Sequence, residues 1–125
     1  MSKISVVTAN KNGALYLKET IESISRQTYQ DVEHIIVDGQ SSDASLSIIS
    51  EYPHIRLLSE PDGGPNDAFA KGFLMAKGEY IMVMCVSDIY LCNTWFERCV
   101  DLLEKDSSIS LVWGIGYEHE SGWRY

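Results

Sequence analysis

With 125 residues, 45% of them hydrophobic and 22% charged, the chain is long enough for one globular domain with its own core and too short for two. Its formal net charge is −8, and its ten Lys and Arg are scattered, which speaks against a free-standing nucleic-acid binder, since that would carry a basic patch or stripe. No run approaches the roughly 18 apolar residues of a membrane helix, the N-terminus MSKISVVTAN turns polar too early for a secretory leader, and Cys85, Cys92 and Cys99 suit neither a disulfide framework nor a CxxC metal site. A cytoplasmic protein with three reduced, partly buried thiols is expected.

In chain order, strands and helices alternate. KISVVTA (3–9) is a β-branched run that reads as a first strand, with NKNG behind it as a turn. From Ala14 to Gln27, Leu17, Ile21 and Ile24 fall at helical spacing, with Lys18, Glu19 and Glu22 on other faces. VEHIIVDG (32–39) is a second strand. SSD then offers an N-cap to a short helix with Ile48 and Ile49 inward and Pro53 as its stop. IRLLSE (55–60) reads as a third strand and PDGGP as a loop. Asn66 to Lys77 reads as a helix with Phe69, Gly72, Phe73 and Ala76 on one face and Gly78 to end it. A fourth strand runs from Tyr80 and stops on Ser87 and Asp88. NTWFERCVDLLEKD (93–106) is a helix with Thr94 and Glu97 at capping-box spacing and an apolar side of Trp95, Cys99, Leu102 and Leu103. SISLVWGIGY (108–117) is a fifth strand, with Trp113 expected in the core, and EHESGWRY (118–125) has no period.

This order, with continuous rather than alternating apolar runs, calls for a parallel sheet covered on both faces. In such a sheet all strand C-termini open on one edge, where ligands bind. There stand Thr8 and Asn10, then Asp38, then Glu60 and Asp62, then Ser87 and Asp88. Each alone reads as a turn or cap residue. Together they describe an acidic crevice, suited to phosphates when a divalent cation bridges carboxylate and diphosphate.

The stretch ISVVTANKNGALYLKETIESISRQTYQDVEHIIVDGQSSD resembles the start of the family 2 glycosyltransferases. SEPDGGPNDAFAKGFLMAKGEYI is similar to the next block of one branch, S-E-x-D-x-G-x-x-D-A-x-N-K-G followed by A-x-G-E. The resemblance implies a GT-A fold, an α/β Rossmann-like and mostly parallel sheet with helices on both faces. It implies inverting transfer of a sugar from a nucleotide-diphosphate sugar to a glycan or lipid-linked acceptor in cell-surface polysaccharide assembly. It also implies roles. Thr8 and Asn10 would line the nucleotide pocket, and Asp38 would hydrogen-bond base or ribose. Asp62 and Asp67 would be donor-binding acids, and Lys71 would offset diphosphate charge. Asp88 would hold Mg²⁺ or Mn²⁺. Asp43 reads as an N-cap rather than a ligand contact.

The chain departs from the family pattern in places. Cys85-Val86-Ser87-Asp88 stands where the family has N-S-D-D or D-x-D-D, so only Asp88 remains as an acid. Ala70 replaces a common Asn and Gln40 a common Gly. Family catalytic domains also continue well beyond this length into an acceptor half with a catalytic base. Residues 1–125 are therefore expected to be one truncated, nucleotide-sugar-binding domain. No catalytic base is assigned, since Glu118, His119 and Glu120 sit in no base motif. The alternative is an inactive module that binds nucleotide weakly or works through a protein partner. An uncovered sheet edge would admit a homodimer, and partners would bring the chain to the inner membrane. An unrelated doubly wound domain such as a response regulator fits the element order but not the QTYQDVEHIIVDG block.

Overall fold

The structure is a computed structural model that describes residues 2–114. Its elements are β1 (Ile4–Asn10), α1 (Ala14–Ser25), β2 (Val32–Asp38), α2 (Ser45–Ile49), β3 (Arg56–Ser59), α3 (Pro65–Met75), β4 (Tyr80–Cys85) and α4 (Trp95–Lys105). The strands form one parallel sheet in the order β3-β2-β1-β4. β1 is central and every one of its residues is buried, which is why it reads as an unbroken β-branched run. Its two faces do different work. Ile4 and Val6 pack with Met84 against Ile24 of α1 and Phe96 and Val100 of α4. Beside them Ile36 meets Leu17, Ile21 and Ile49. On the opposite face Val7, Ala9, Ile35 and Val37 pack under Ala68 of α3.

Small residues set the approach of α3. A Cβ on Gly72 would come within 2.2 Å of Val7 Cγ1, so the helix lies on β1 through its glycine. The expected aromatic stripe is displaced as a result. Ala68 and Gly72 are the buried residues, and Phe73 is exposed, stacked on Phe69 at 6.3 Å. Gly78 does not end this helix. The helix closes at Ala76 in an extended conformation. Gly78 is instead a point of close approach, where a Cβ would sit 2.6 Å from the Ser5 backbone nitrogen, and its N–H donates to Ser5 Oγ at 2.8 Å.

Helix α4 is turned by one residue from the expected face. Phe96, Cys99 and Val100 are buried and Leu102 is exposed. The buried Gln27 fixes this rotation: its Oε1 accepts the Phe96 N–H at 3.1 Å and its Nε2 donates to Cys92 O at 2.7 Å. The capping box does not form. Thr94 is the N-cap, but its hydroxyl caps no helix N–H and lies instead 3.7 Å from Cys92 Sγ, and Glu97 accepts from Thr28 Oγ1 at 3.2 Å.

The fifth strand is not found in residues 108–114, which join no ladder, and residues 115–117 lie outside the described residues. Trp113 is 79% exposed, not a core residue. Among the described residues β4 is therefore an edge strand, and on the α3 side of the sheet its Ile81 and Val83 stay about half exposed. All three cysteines are free, but only Cys99 is buried; Cys85 and Cys92 are exposed.

Candidate functional site

The parallel register brings the strand ends level, with Asn10 opposite Asp38 and Ala9 opposite Cys85. From β1 the chain first steps to β2 and β3 on one side, then crosses to β4 on the other, which makes the end of β1 a topological switch point. The ends of β2 and β4 flank it two strand spacings apart, roughly 10 Å. The Asp38 carboxylate at the end of β2 is already bonded to Asn10, Ser41 and Ser59, so an ion held at the end of β4 does not share it. The two ends must serve different parts of a ligand.

At the end of β2, Asp38 is fully buried. Its Oδ1 accepts from Asn10 Nδ2 at 2.8 Å and Ser41 Oγ at 2.5 Å. Its Oδ2 accepts from the Ser41 N–H at 2.9 Å and Ser59 Oγ at 2.8 Å. Burial pushes the carboxyl up, but the bonds from the Ser41 side chain and backbone, Ser59 and Asn10 outweigh it and hold it below the ordinary range. A carboxylate has about four acceptor sites, and all are spent on tying β1, β2 and β3 together. Asp38 and Asn10 thus form the floor of the crevice. Asn10 Oδ1 is buried without a partner, and a Cβ on Gly13 would come within 2.5 Å of it. Thr8 lies beneath this floor, fully buried, its Oγ1 2.9 Å from His34 Nε2.

The loops after β1 and β2 are stitched to each other. Asn12 N–H donates to Ser41 Oγ, and Asn12 Oδ1 accepts the Ser42 N–H, each at 2.8 Å. Asp43 accepts the N–H groups of Ala14 and Ser45 at 3.0 and 2.9 Å, so it caps the starts of α1 and α2. Lys11 Nζ donates to Gly39 O and, at 3.5 Å, to Gln40 O. Gln40 has φ +57°, a left-handed conformation that favours glycine.

The loop from Glu60 to Gly64 forms the next wall. Asp62 Oδ1 accepts the Gly64 N–H at 3.0 Å, and Gly64 takes φ +111° before Pro65 opens α3. Asp67 Oδ2 accepts the Gly63 N–H at 3.0 Å. That bond and Lys71 hold Asp67 below the usual carboxylate range. Lys71 pairs with Glu60 at 3.1 Å and Asp67 at 3.2 Å and donates to Pro61 O at 3.1 Å. Its charge is thereby offset within the loop. Lys11, in contrast, forms no ion pair among the described residues. The sequence showed it only as part of the NKNG turn; the available signal was a lysine placed directly after the first parallel strand.

At the end of β4, Ser87 has φ +86° and Asp88 N–H donates to Cys85 O at 3.1 Å. Asp88 Oδ2 turns back to accept the Cys85 N–H at 3.1 Å. The turn is anchored by the buried Thr20 of α1, whose Oγ1 accepts the Ser87 N–H at 3.2 Å and donates to Asp88 O at 2.9 Å. Asp88 is exposed, with Oδ1 unpaired among the described residues. Cys85 is exposed as a residue, but partial desolvation of its sulfur pushes the thiol up, and the Asp88 charge adds to this. A protonated thiol is a poor partner for a hard cation. No three His, Cys, Asp or Glu among the described residues could hold a metal. Asp88 fits a site in which the protein gives one oxygen and the ligand and water give the rest, as Mg²⁺ tolerates.

Two other depressions lie away from this edge. One of about 600 Å³ is lined by residues including Arg26, Cys92 and Asn93, and one of about 300 Å³ by residues including Tyr29, His34 and His54.

Residues 5–125 match the family model Glycosyl transferase family 2. The chain is 30% identical over 122 residues to an uncharacterized glycosyltransferase of Mycobacterium tuberculosis, covering 95% of this chain and 47% of that protein. It is 35% identical over 124 residues to Glycosyltransferase GlyG of Streptococcus pneumoniae, covering 95% and 41%. The chain thus spans less than half the length of these relatives. Among solved structures, S. aureus TarS superposes with TM-score 0.77 at 22% identity, covering 82% of this chain and 32% of that one, and it is also known with UDP and with UDP-GlcNAc. The mannosyltransferase PcManGT of Pyrobaculum calidifontis, solved with GDP-Man and Mn²⁺, gives TM-score 0.75 at 21% identity, covering 81% and 32%. The likeness to both is one of fold: the α/β, N-terminal half of a GT-A architecture.

Proposed function

This chain belongs to glycosyl transferase family 2, and from that premise we propose that it is the donor-binding half of an inverting glycosyltransferase. It holds a nucleotide-diphosphate sugar at the C-terminal edge of the sheet. The sugar passes to a glycan or lipid-linked acceptor in cell-surface polysaccharide assembly. The observation that carries this reading is the switch point at the end of β1, with the braced floor at β2 on one side and the exposed Asp88 carboxylate at β4 on the other, roughly 10 Å apart at ordinary strand spacing. That span suits a nucleoside over β1 and β2 and a diphosphate beside Asp88 at β4. Asn10 and Asp38 support the floor over the buried Thr8. Asp67 and Lys71 hold the loop that presents Asp62. Thr20 and the Cys85 N–H fix the turn and carboxylate of Asp88. A bound Mg²⁺ or Mn²⁺ would neutralise charge on the departing diphosphate. Support comes from the ligands of similarly folded proteins, UDP, UDP-GlcNAc and GDP-Man with Mn²⁺.

In this reading residues 1–125 act as one cytoplasmic domain, and the acceptor side with its base is contributed from outside it. Partners bring the chain to the membrane, and a second copy covers the open sheet edge; no helix among the described residues is long and apolar enough to cross a membrane. The single acid at the end of β4 favours a second reading, a module that no longer turns over.

Thermal denaturation with UDP and GDP, each with and without Mn²⁺, separates these readings. Donor binding predicts stabilisation of about 2.7 kcal/mol at a hundred times Kd. The Mn²⁺-dependent part disappears in Asp88→Ala. No shift at millimolar nucleotide, or a full shift in Asp88→Ala, contradicts the proposal.

A further inference from the structure

We infer that the cavity of about 300 Å³ beside His34 is a second binding site, for a small uncharged molecule with an apolar body and one carbonyl-type acceptor that receives the His34 N–H. The inference is independent of the donor-binding reading above. The cavity lies where α1 ends and β2 begins, at the opposite edge of the sheet from Asp88. Its volume is at the lower end of the range for small-molecule sites, roughly 300–1,000 Å³. β3 pairs only with Ile35–Asp38 of β2. Beside Val32 and His34 there is no third strand, and the chain entering β3 passes there with His54, which lines the opening.

His34 supplies the polar group. Its imidazole is 2% exposed, Nε2 lies 2.9 Å from Thr8 Oγ1, and Nδ1 is buried with no partner. The buried Thr8 hydroxyl has no other partner among the described residues, and this decides the tautomer. With Thr8 donating to Nε2, one group is left over, the Nδ1–H. With Nε2–H donating to Thr8, both the threonine proton and the Nδ1 lone pair are left over. Each buried orphan is costly, so the first arrangement holds. Burial, then His54, keeps the ring neutral, with a pKa of about 3. The two ring nitrogens point to nearly opposite sides. With Nε2 turned to β1, the Nδ1–H faces the β3 side of β2 and the cavity. Ile24, Tyr29 and Val32 supply apolar walls. Ser25 Oγ and Gln30 Nε2 are already spent, on Ile21 O at 3.2 Å and Gln27 O at 2.7 Å. No Lys, Arg, Asp or Glu among the described residues lines the cavity, so a charged ligand would leave water with no opposite charge to meet. One N–H donor between apolar walls calls for one acceptor on an apolar body.

The test is amide mapping of the ¹⁵N-labelled chain with acetophenone, ethylbenzene and benzoate, together with the nitrogen spectrum of the His34 side chain. Acetophenone carries the acceptor, ethylbenzene lacks it, and benzoate adds a charge. Acetophenone is expected to shift the Ser25, Gln30, His34 and His54 amides saturably and to move the protonated Nδ1 signal. Ethylbenzene and benzoate should bind roughly tenfold or more weaker, the loss that an unmet buried donor or an unpaired charge brings. His34→Phe, which keeps a flat ring but has no N–H, brings acetophenone and ethylbenzene level. A melting curve shows whether that variant keeps its fold, and the side-chain spectrum of the parent chain decides without it. Three results overturn the inference: a proton on Nε2 instead of Nδ1, equal binding of acetophenone and ethylbenzene by the parent chain, or no saturable shift at millimolar acetophenone.

Discussion

Asp38→Ala is expected to lower the free energy of unfolding by roughly 3 kcal/mol, a sizeable part of a small domain's total. The carboxylate is the common acceptor for donors from β1, the loop after β2 and the end of β3. Once it is gone, Asn10 Nδ2 keeps only its longer bond to Ser41 Oγ at 3.3 Å, and the Ser41 N–H loses its acceptor. Each donor abandoned away from water costs about 1–3 kcal/mol. The Ser59 hydroxyl is exposed and can turn to solvent, so it adds little. Asp38→Asn keeps the shape and one acceptor oxygen and should lose less. Urea unfolding measures both through the midpoint at constant slope. An Asp38→Ala loss under about 1 kcal/mol would show that the network does not brace the strand ends. The carboxyl is held below its ordinary value, so its contribution is present above the unfolded carboxyl pKa, about 3.9. It is lost only as pH falls through the lower folded value.

Acid sensitivity at milder pH comes from another residue. Lowering the pH from 7.5 to 5 is expected to cost the fold about 2 kcal/mol through His34 alone. This imidazole is 2% exposed, its Nε2 lies 2.9 Å from Thr8 Oγ1, and its Nδ1 is buried without a partner. Burial, then the neighbouring His54, lowers its pKa to about 3. The fold thus keeps His34 neutral while the unfolded chain takes up a proton below about 6.5. The stabilisation is complete above that unfolded value and is lost as pH falls, by about 1.4 kcal/mol per unit, until the folded group also titrates. His34→Gln removes the titration. Its urea midpoint should change little between pH 7.5 and 5 while that of the parent chain drops. Parallel curves for the two would refute the assignment.

The order of elements was legible because continuous apolar runs and Gly- or Pro-rich breaks report on a parallel sheet directly. Helix faces were less legible where small residues decide them. Gly72 sets the contact of α3 with Val7, yet hydrophobic periodicity gives weight to Phe69 and Phe73. The adjacent Trp95 and Phe96 are equally apolar, and only a distant residue, Gln27, tells them apart through its bond to Phe96 N–H. The run from 108 to 114 has strand composition, but a strand also needs a ladder partner, which composition does not supply. At the site, the acids at the ends of β2 and β4 could be read from sequence. That Asp38 is saturated could not, because its donors come from three strands and their loops. Lys11 and Thr20 escaped notice for the same reason: one acts on the Gly39 carbonyl and the other on the turn after β4, far along the chain.

Amide chemical-shift mapping of the ¹⁵N-labelled chain, titrated with UDP and then GDP in Mg²⁺, tests the donor site most directly. Binding at the C-terminal edge predicts saturable shifts of Lys11, Gly39, Gly63, Gly64, Ser87 and Asp88, with Arg26, Asn93 and His54 unmoved. Shifts gathered instead around Arg26 and Asn93 or around His54, or none at millimolar nucleotide, would contradict it.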